Sequence, residues 1–248
     1  MRLFKLLVIF TMLTSLMSFD QCSDNYGYDE LPELLERANL ILILPKEYNM
    51  VPIIKNKQVR YDLAYRLENG IEIRYSIWPY DSLLEEYNAY LERKAKGIKP
   101  VDPVKGEFEE LKVNPNEIYK NFFLSFIFNV SEKNDTSYEI TFNKMVRQVM
   151  EFPTDAVKEE FNADYGAHTW CKLNKEFGKE YKECQIFMIH KKDCGMVICF
   201  RLFKDKNHVE RLKKDKINSD NFNNIQFYRA KPPELLHPKG INRIFQYE

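Results

Sequence analysis

Glycine is scarce in this chain, with eight residues in 248. The two nearest to each other, Gly97 and Gly106, are too far apart to share a phosphate-cradling loop. Neither G-x-G-x-x-G nor G-x-x-x-x-G-K-[ST] occurs, which discounts the standard nucleotide-dependent enzymes. Net charge is absent as well: Lys and Arg number 37, Asp and Glu also 37. A nucleic-acid binder needs a basic excess to displace counterions from phosphates, so no nucleic-acid partner is expected. The locally basic stretch Lys204–Lys216 is diluted by Asp205, Glu210 and Asp215 and reads as a solvated helix face. No C-x-x-C is present, so thioredoxin-type redox chemistry has no support. No apolar run approaches the ~20 residues that cross a bilayer.

One shorter apolar run does occur, at the start. Arg2 and Lys5 precede an apolar stretch from Leu6 to Met17, then a small residue at Ser18 and polar sequence from Asp20. This is the pattern of a secretory signal peptide over residues 1–19, and it predicts a protein exported to the periplasm, the cell envelope or the medium. Cys22 offers a second way of handling that leader, since a cysteine just after an apolar run is where a bacterial lipoprotein carries its lipid. Phe19-Asp20-Gln21 before it departs from the small uncharged residues such a site takes. Membrane contact is therefore expected only through the signal or a lipid on Cys22.

The whole chain has an apolar fraction of 44% with 14% aromatics, enough for a sizeable core. Residues 20–39 read as a lead-in and a short helix, Leu31–Asn39, with Asp29 as its cap and Pro32 in its first turn. Leu40–Leu44, ended by Pro45, reads as a strand. A hairpin follows over 59–78, and its register can be argued. A two-residue Asn69-Gly70 turn sets Leu67 against Glu72 and Tyr65 against Arg74. A three-residue turn, Glu68-Asn69-Gly70, sets Leu67 against Ile71, Tyr65 against Ile73, Leu63 against Tyr75 and Tyr61 against Ile77. Only the second keeps one face apolar, and Gly70 supplies the left-handed position it needs. The other face, with Asp62, Ala64, Arg66, Glu72, Arg74 and Ser76, is expected to be solvated or partly covered.

A helix is expected from Asp81 or Ser82 to about Lys96, with Gly97 as its stop and a long connection over 97–116. A central strand is expected over Ile118–Val130, from the alternation of Phe122, Leu124, Phe126, Phe128 and Val130 with Phe123, Ser125, Ile127 and Asn129. After a polar turn at Ser131–Ser137, Tyr138–Phe142 reads as a period-two strand that 144–152 extend. Thr154 caps a helix to about Tyr165 with Val157 and Phe161 inward. Cys184–His190 pairs with Met196–Phe203 around Asp193-Cys194-Gly195, setting Cys199 opposite Ile189. A helix around His208–Lys214 and an irregular tail over 231–248 complete the chain.

Hairpins with helices inserted between them predict an α+β fold, one curved, mainly antiparallel sheet with helices packed on it, as a single domain over 40–230. The order of these elements, with Leu44-Pro45-Lys46-Glu47-Tyr48 leading into the first hairpin, resembles the PsbP-like α+β sandwich proteins over roughly residues 40–214. Phe161-Asn-Ala-Asp-Tyr-Gly166 and Ile189-His190-Lys191 are similar to uncharacterised exported bacterial proteins. The resemblance implies an accessory or binding role without catalysis.

Candidate chemistry is thin. Of the five cysteines, the last four (Cys171, Cys184, Cys194, Cys199) allow three pairings. The hairpin register keeps Cys184 and Cys199 apart, Cys171 with Cys184 is sterically allowed, and Cys199 reads as a small buried hydrophobe. The His and Cys spacings match no zinc pattern, so neither a metal nor another cofactor is expected. Residues 163–173 look most like a recognition loop, with Asp164, His168 and Trp170 as binding candidates. The reading that follows is an exported non-catalytic module binding a partner protein or envelope component. Its rival is an exported hydrolase or thiol enzyme using His168, Cys171 or His190.

Overall fold

The computed structural model describes residues 28–45, 47–97, 112–133, 138–214, 225–228 and 244–246. The leader, Cys22 and most of the connection over 97–116 lie outside them. The fold is α+β, and its main sheet is mostly antiparallel, as expected.

After a 3-10 turn at Tyr28–Glu30, α1 (Leu31–Arg37) carries Pro32 in its first turn and buries Leu31, Leu34 and Leu35. Asp29 is not its cap: Glu30 holds that position without a side-chain bond. The strand β1 (Leu40–Leu44) lies between β9 (Ile225–Phe227) and β10 (Ile244–Gln246) in a small sheet. The tail over 231–248, expected to be irregular, therefore contributes a strand, parallel to β1.

Among the described residues the main sheet has seven strands in the order β2-β3-β4-β8-β7-β6-β5. These are β2 (Tyr48–Met50), β3 (Leu63–Leu67), β4 (Glu72–Pro79), β5 (Met150–Glu151), β6 (Tyr165–Lys172), β7 (Glu183–Lys191) and β8 (Gly195–Phe203). The first hairpin has the three-residue turn: Tyr65 pairs with Ile73, Leu63 with Tyr75, and Gly70 takes φ +82. Tyr61 does not reach Ile77, because the ladder stops at Leu63. Asp62 takes over, donating its N–H to the Tyr75 carbonyl and accepting the Ile77 N–H on Oδ2 at 2.8 Å. In the β7–β8 hairpin Cys199 faces Phe187 rather than Ile189, a two-residue correction that leaves every side chain on the same face.

Helices are α2 (Asp81–Ala95), α3 (Pro115–Val130), α4 (Tyr138–Gln148), α5 (Thr154–Phe161), α6 (Lys175–Gly178) and α7 (Lys206–Lys214). Two expected strands are thus helices. Asn114 caps α3 by accepting the Asn116 N–H, and Pro115 sits at its first position, where a missing N–H costs nothing. Its buried residues, Phe122, Phe123, Phe126, Ile127 and Val130, are spaced as a helical stripe. Tyr138–Phe142, read as a strand, opens α4.

Both faces of the main sheet are covered. On one, Ile73, Tyr75, Ile77, Phe187, Ile189, Val197 and Cys199 pack against Leu40, Leu42 and Leu44 of β1, Ile225 and Phe227 of β9, and apolar residues of α1 and α5. On the other, Ile186, Met188, Ile198, Phe200 and Leu202 meet the α3 stripe, Met145 of α4 and Phe177 of α6. Strands buried on both faces read as continuous apolar runs, which is what β7 and β8 are.

The face of the first hairpin expected to be solvated or partly covered is largely buried. Asp62, Ala64, Glu72, Arg74 and Ser76 are all at most 4% exposed. The charges tolerate this because they satisfy one another. Arg74 donates from Nε and Nη2 to Glu72 Oε1 at 2.9 and 2.7 Å and from Nη1 to the Phe177 carbonyl at 2.7 Å. Its guanidinium lies over both the Tyr61 and the Phe177 rings, at 5.0 and 4.7 Å. Arg66 and Tyr181 donate to Glu72 Oε2.

Candidate functional site

Residues 163–173 are not a loop: Tyr165–Lys172 is β6, paired along its length with β7. The preceding helix ends early, at Phe161, because Asn162 turns the chain in the left-handed region at φ 50. The point where β6 begins then separates the three sequence candidates. His168 and Trp170 share the strand-covered face of the sheet, where His168 stacks on Phe152 at 4.8 Å and Trp170 on Phe203 at 5.4 Å. Burial holds the His168 imidazole below its ordinary pKa. Asp164 stands apart, exposed before the start of β6.

Asp164 does belong to a rim built at that end of the sheet. Its N–H donates to the His190 carbonyl, and its Oδ2 accepts the Lys192 N–H at 2.9 Å. The β7–β8 turn is gripped from two further elements. Asn116 of α3 and Asp193 bond reciprocally, Asp193 N–H to Asn116 Oδ1 at 3.0 Å and Asn116 Nδ2 to Asp193 Oδ1 at 2.8 Å. The Tyr80 N–H donates to the Cys194 carbonyl at 3.1 Å. Asp193 itself takes φ +59, a left-handed position Asp tolerates.

One turn along α3, Tyr119 lies flat on His190, with centroids 3.9 Å apart and planes 12° from parallel. Tyr165 approaches Tyr119 at 5.1 Å and Tyr80 approaches His190 at 5.6 Å. The outer edge is an ion pair, Lys120 to Glu151 at 2.8 Å, which also takes the Tyr165 hydroxyl at 2.8 Å. Lys120 sits over the Tyr165 ring at 4.3 Å. Its hydrogen bond pulls the Glu151 carboxyl below its ordinary pKa, while burial and that carboxylate push the Tyr165 phenol up. Met150, 51% exposed, lies beside Glu151.

His190 beneath this rim is buried, and neither ring nitrogen has a hydrogen-bond partner, nor does the neighbouring Tyr80 hydroxyl. Burial takes its pKa down to about 4, against the opposing pull of Asp164 and Asp193. The imidazole is therefore neutral at pH 7, offering one donor and one acceptor.

The thiol-enzyme constellation does not assemble. His168 and Cys171 are three residues apart on β6 and point to opposite faces. Tyr165 pairs with His190 while Cys171 pairs with Cys184, six positions further on, which places His190 ~20 Å from Cys171 along the strands. Among the described residues no three of His, Cys, Asp and Glu are grouped to hold a metal, and no helix is long and apolar enough to cross a membrane.

Sequence reasoning found Asp164 but missed Tyr80, Tyr119, Lys120, Glu151 and His190 as neighbours. The strand expected over this stretch takes in Tyr119 and Lys120, and only the Asn114-Pro115 helix start places them one turn beyond Asn116. Comparison of the chain with protein-family models, with curated proteins and with solved structures returns no significant match.

Proposed function

We propose that this chain is an exported, non-catalytic binding protein that engages a partner protein or another component of the cell envelope through the rim around the β7–β8 turn. The leader Met1–Phe19 supports export. The observation that carries the binding reading is the rigidity and composition of the rim. Half-exposed Tyr119 and Tyr165 are fixed by stacking and by the Lys120–Glu151 pair, with exposed Met150 alongside. Tyrosine and methionine are enriched where proteins meet partners, and side chains already held in place lose less entropy on binding.

Two measurements test this. Mass spectrometry of the native protein should find an N-terminus at or just after Ser18 in the exported or envelope fraction; an intact Met1 in the cytosolic fraction overturns export. Solubilised envelope proteins should be retained by the immobilised wild-type chain about tenfold better than by Lys120→Glu or Glu151→Lys. Lys172→Glu, an exposed charge at the far end of β6, should leave retention unchanged. Equal retention by all four proteins overturns the rim as the binding surface.

A further inference from the structure

At the other end of β6 the register brings two thiols together. Cys171 on β6 and Cys184 on β7 are direct cross-strand partners, on the same face of the sheet. Leu173, two residues beyond Cys171, donates its N–H to the carbonyl of Lys182, the residue opposite it. Pair types alternate along an antiparallel ladder, so Cys171 and Cys184 form a hydrogen-bonded pair, for which the Cα separation is ~5.5 Å. A disulfide is accommodated at Cα separations of about 4.4–6.8 Å. The other two cysteines among the described residues are placed otherwise. Cys199 lies opposite Phe187 on the other face of the sheet, and Cys194 is in the turn at the far end of β7.

We infer that Cys171 and Cys184 close a cross-strand disulfide when the folded protein meets a disulfide oxidant. The two thiols also differ in the way such a reaction needs. Cys171 is half-buried, at the margin of the sheet, while Cys184 is fully enclosed. Hydrogen bonds from Cys184 and then from the neighbouring Ser131 hydroxyl bring the Cys171 thiol below its ordinary pKa, and burial drives that of Cys184 well up. Cys171 is thus the attacking sulfur. Its thiolate displaces one sulfur of the oxidant, forming a mixed disulfide and releasing one thiol. Cys184 loses its proton, attacks the Cys171 sulfur and displaces the second thiol. The two cysteines give up two electrons and two protons, and the oxidant disulfide becomes two thiols. The pairing follows from the register and stands whether or not the rim binds a partner.

The test uses the full wild-type chain, incubated natively with oxidised glutathione and quenched with N-ethylmaleimide under denaturing conditions. The expected product is lighter by two hydrogens in the residue pair, with a peptide map joining the segments of Cys171 and Cys184 and with Cys194 and Cys199 alkylated. That product should melt at a higher temperature than the reduced protein, since the link constrains the unfolded chain. In Cys184→Ala the reaction should stop at glutathione bound to Cys171. Alkylation of both Cys171 and Cys184 in the wild-type chain, a lasting mixed disulfide there, or linkage of any other pair overturns the inference.

Discussion

His190 is enclosed by Tyr80, Tyr119 and Tyr165, with Asp164 and Asp193 as its nearest charges, and this sets how the fold answers to acid. Its pKa is about 4 in the folded chain against the ordinary 6.5 expected when unfolded. As pH falls below 6.5 the unfolded chain takes up a proton that the native imidazole refuses until about pH 4. Native stability therefore drops through that interval and levels off below it. Thermal melts across the interval should show His190→Phe losing less stability than wild type, because phenylalanine suits the same aromatic surroundings without titrating. Parallel curves for the two proteins would assign the loss to other groups. Glu72 makes the opposite kind of residue-scale statement, a buried charge that is fully partnered. Glu72→Ala strands the Arg74 guanidinium with nothing to balance it, which costs about 3–5 kcal/mol in denaturant unfolding. A loss below about 1 kcal/mol would mean that Arg74 finds water or another acceptor.

At the scale of elements, legibility followed how many constraints acted on each segment at once. The 59–78 hairpin could be registered because a slip of one residue would send Leu63, Tyr65, Ile73 and Tyr75 to the wrong face, and Gly70 had to occupy the left-handed turn position. For residues 118–130 no such conflict existed. Phe122, Phe126 and Val130 satisfy a two-residue period and a helical stripe alike, and apolar periodicity alone does not separate buried strand from buried helix. The deciding signal lay outside the run, in Asn114-Pro115. The same holds for α4, where Tyr138, Phe142 and Met145 have helical spacing. The buried charged face of the first hairpin was illegible for a different reason: what covers it, Phe177 and Tyr181, comes from about a hundred residues later. Strand packing also imposes one glycine that no turn demanded. A Cβ at Gly195 would sit 2.7 Å from the Trp78 carbonyl and 3.4 Å from Pro79 Cα, backbone atoms of the neighbouring β4. Gly195→Ala is expected to part the β4–β8 ladder at that end and to destabilise by about 1–3 kcal/mol, as overpacking does. An unchanged unfolding midpoint would show that the two strands separate there at no cost.

Across the whole molecule, β1 depends on chain from the far end of the sequence. Leu40, Leu42 and Leu44 cover one face of the main sheet, and β1 is itself held on one side by β9 and on the other by β10. Ile225 and Phe227 of β9 are at most 1% exposed and belong to the same core. Asn162 and Lys191, near the rim, reach the same segment: the Asn162 side-chain amide donates to the Phe227 carbonyl at 3.2 Å and Lys191 Nζ to the Tyr228 carbonyl at 3.4 Å. The last strands are thus part of the frame that carries the rim. A chain ending at Lys214 would lose both buried side chains, worth about 1.5–3 kcal/mol each, and would leave the edges of β1 unpaired. Since a domain's whole stability is about 5–15 kcal/mol, this truncation should lower the melting temperature sharply and open 31–44 to limited proteolysis. A chain ending at Tyr228 keeps Ile225 and Phe227 and, among the described residues, loses β10 alone, so its loss should be smaller. If the two truncations melt together, β9 is not what holds β1 against the main sheet.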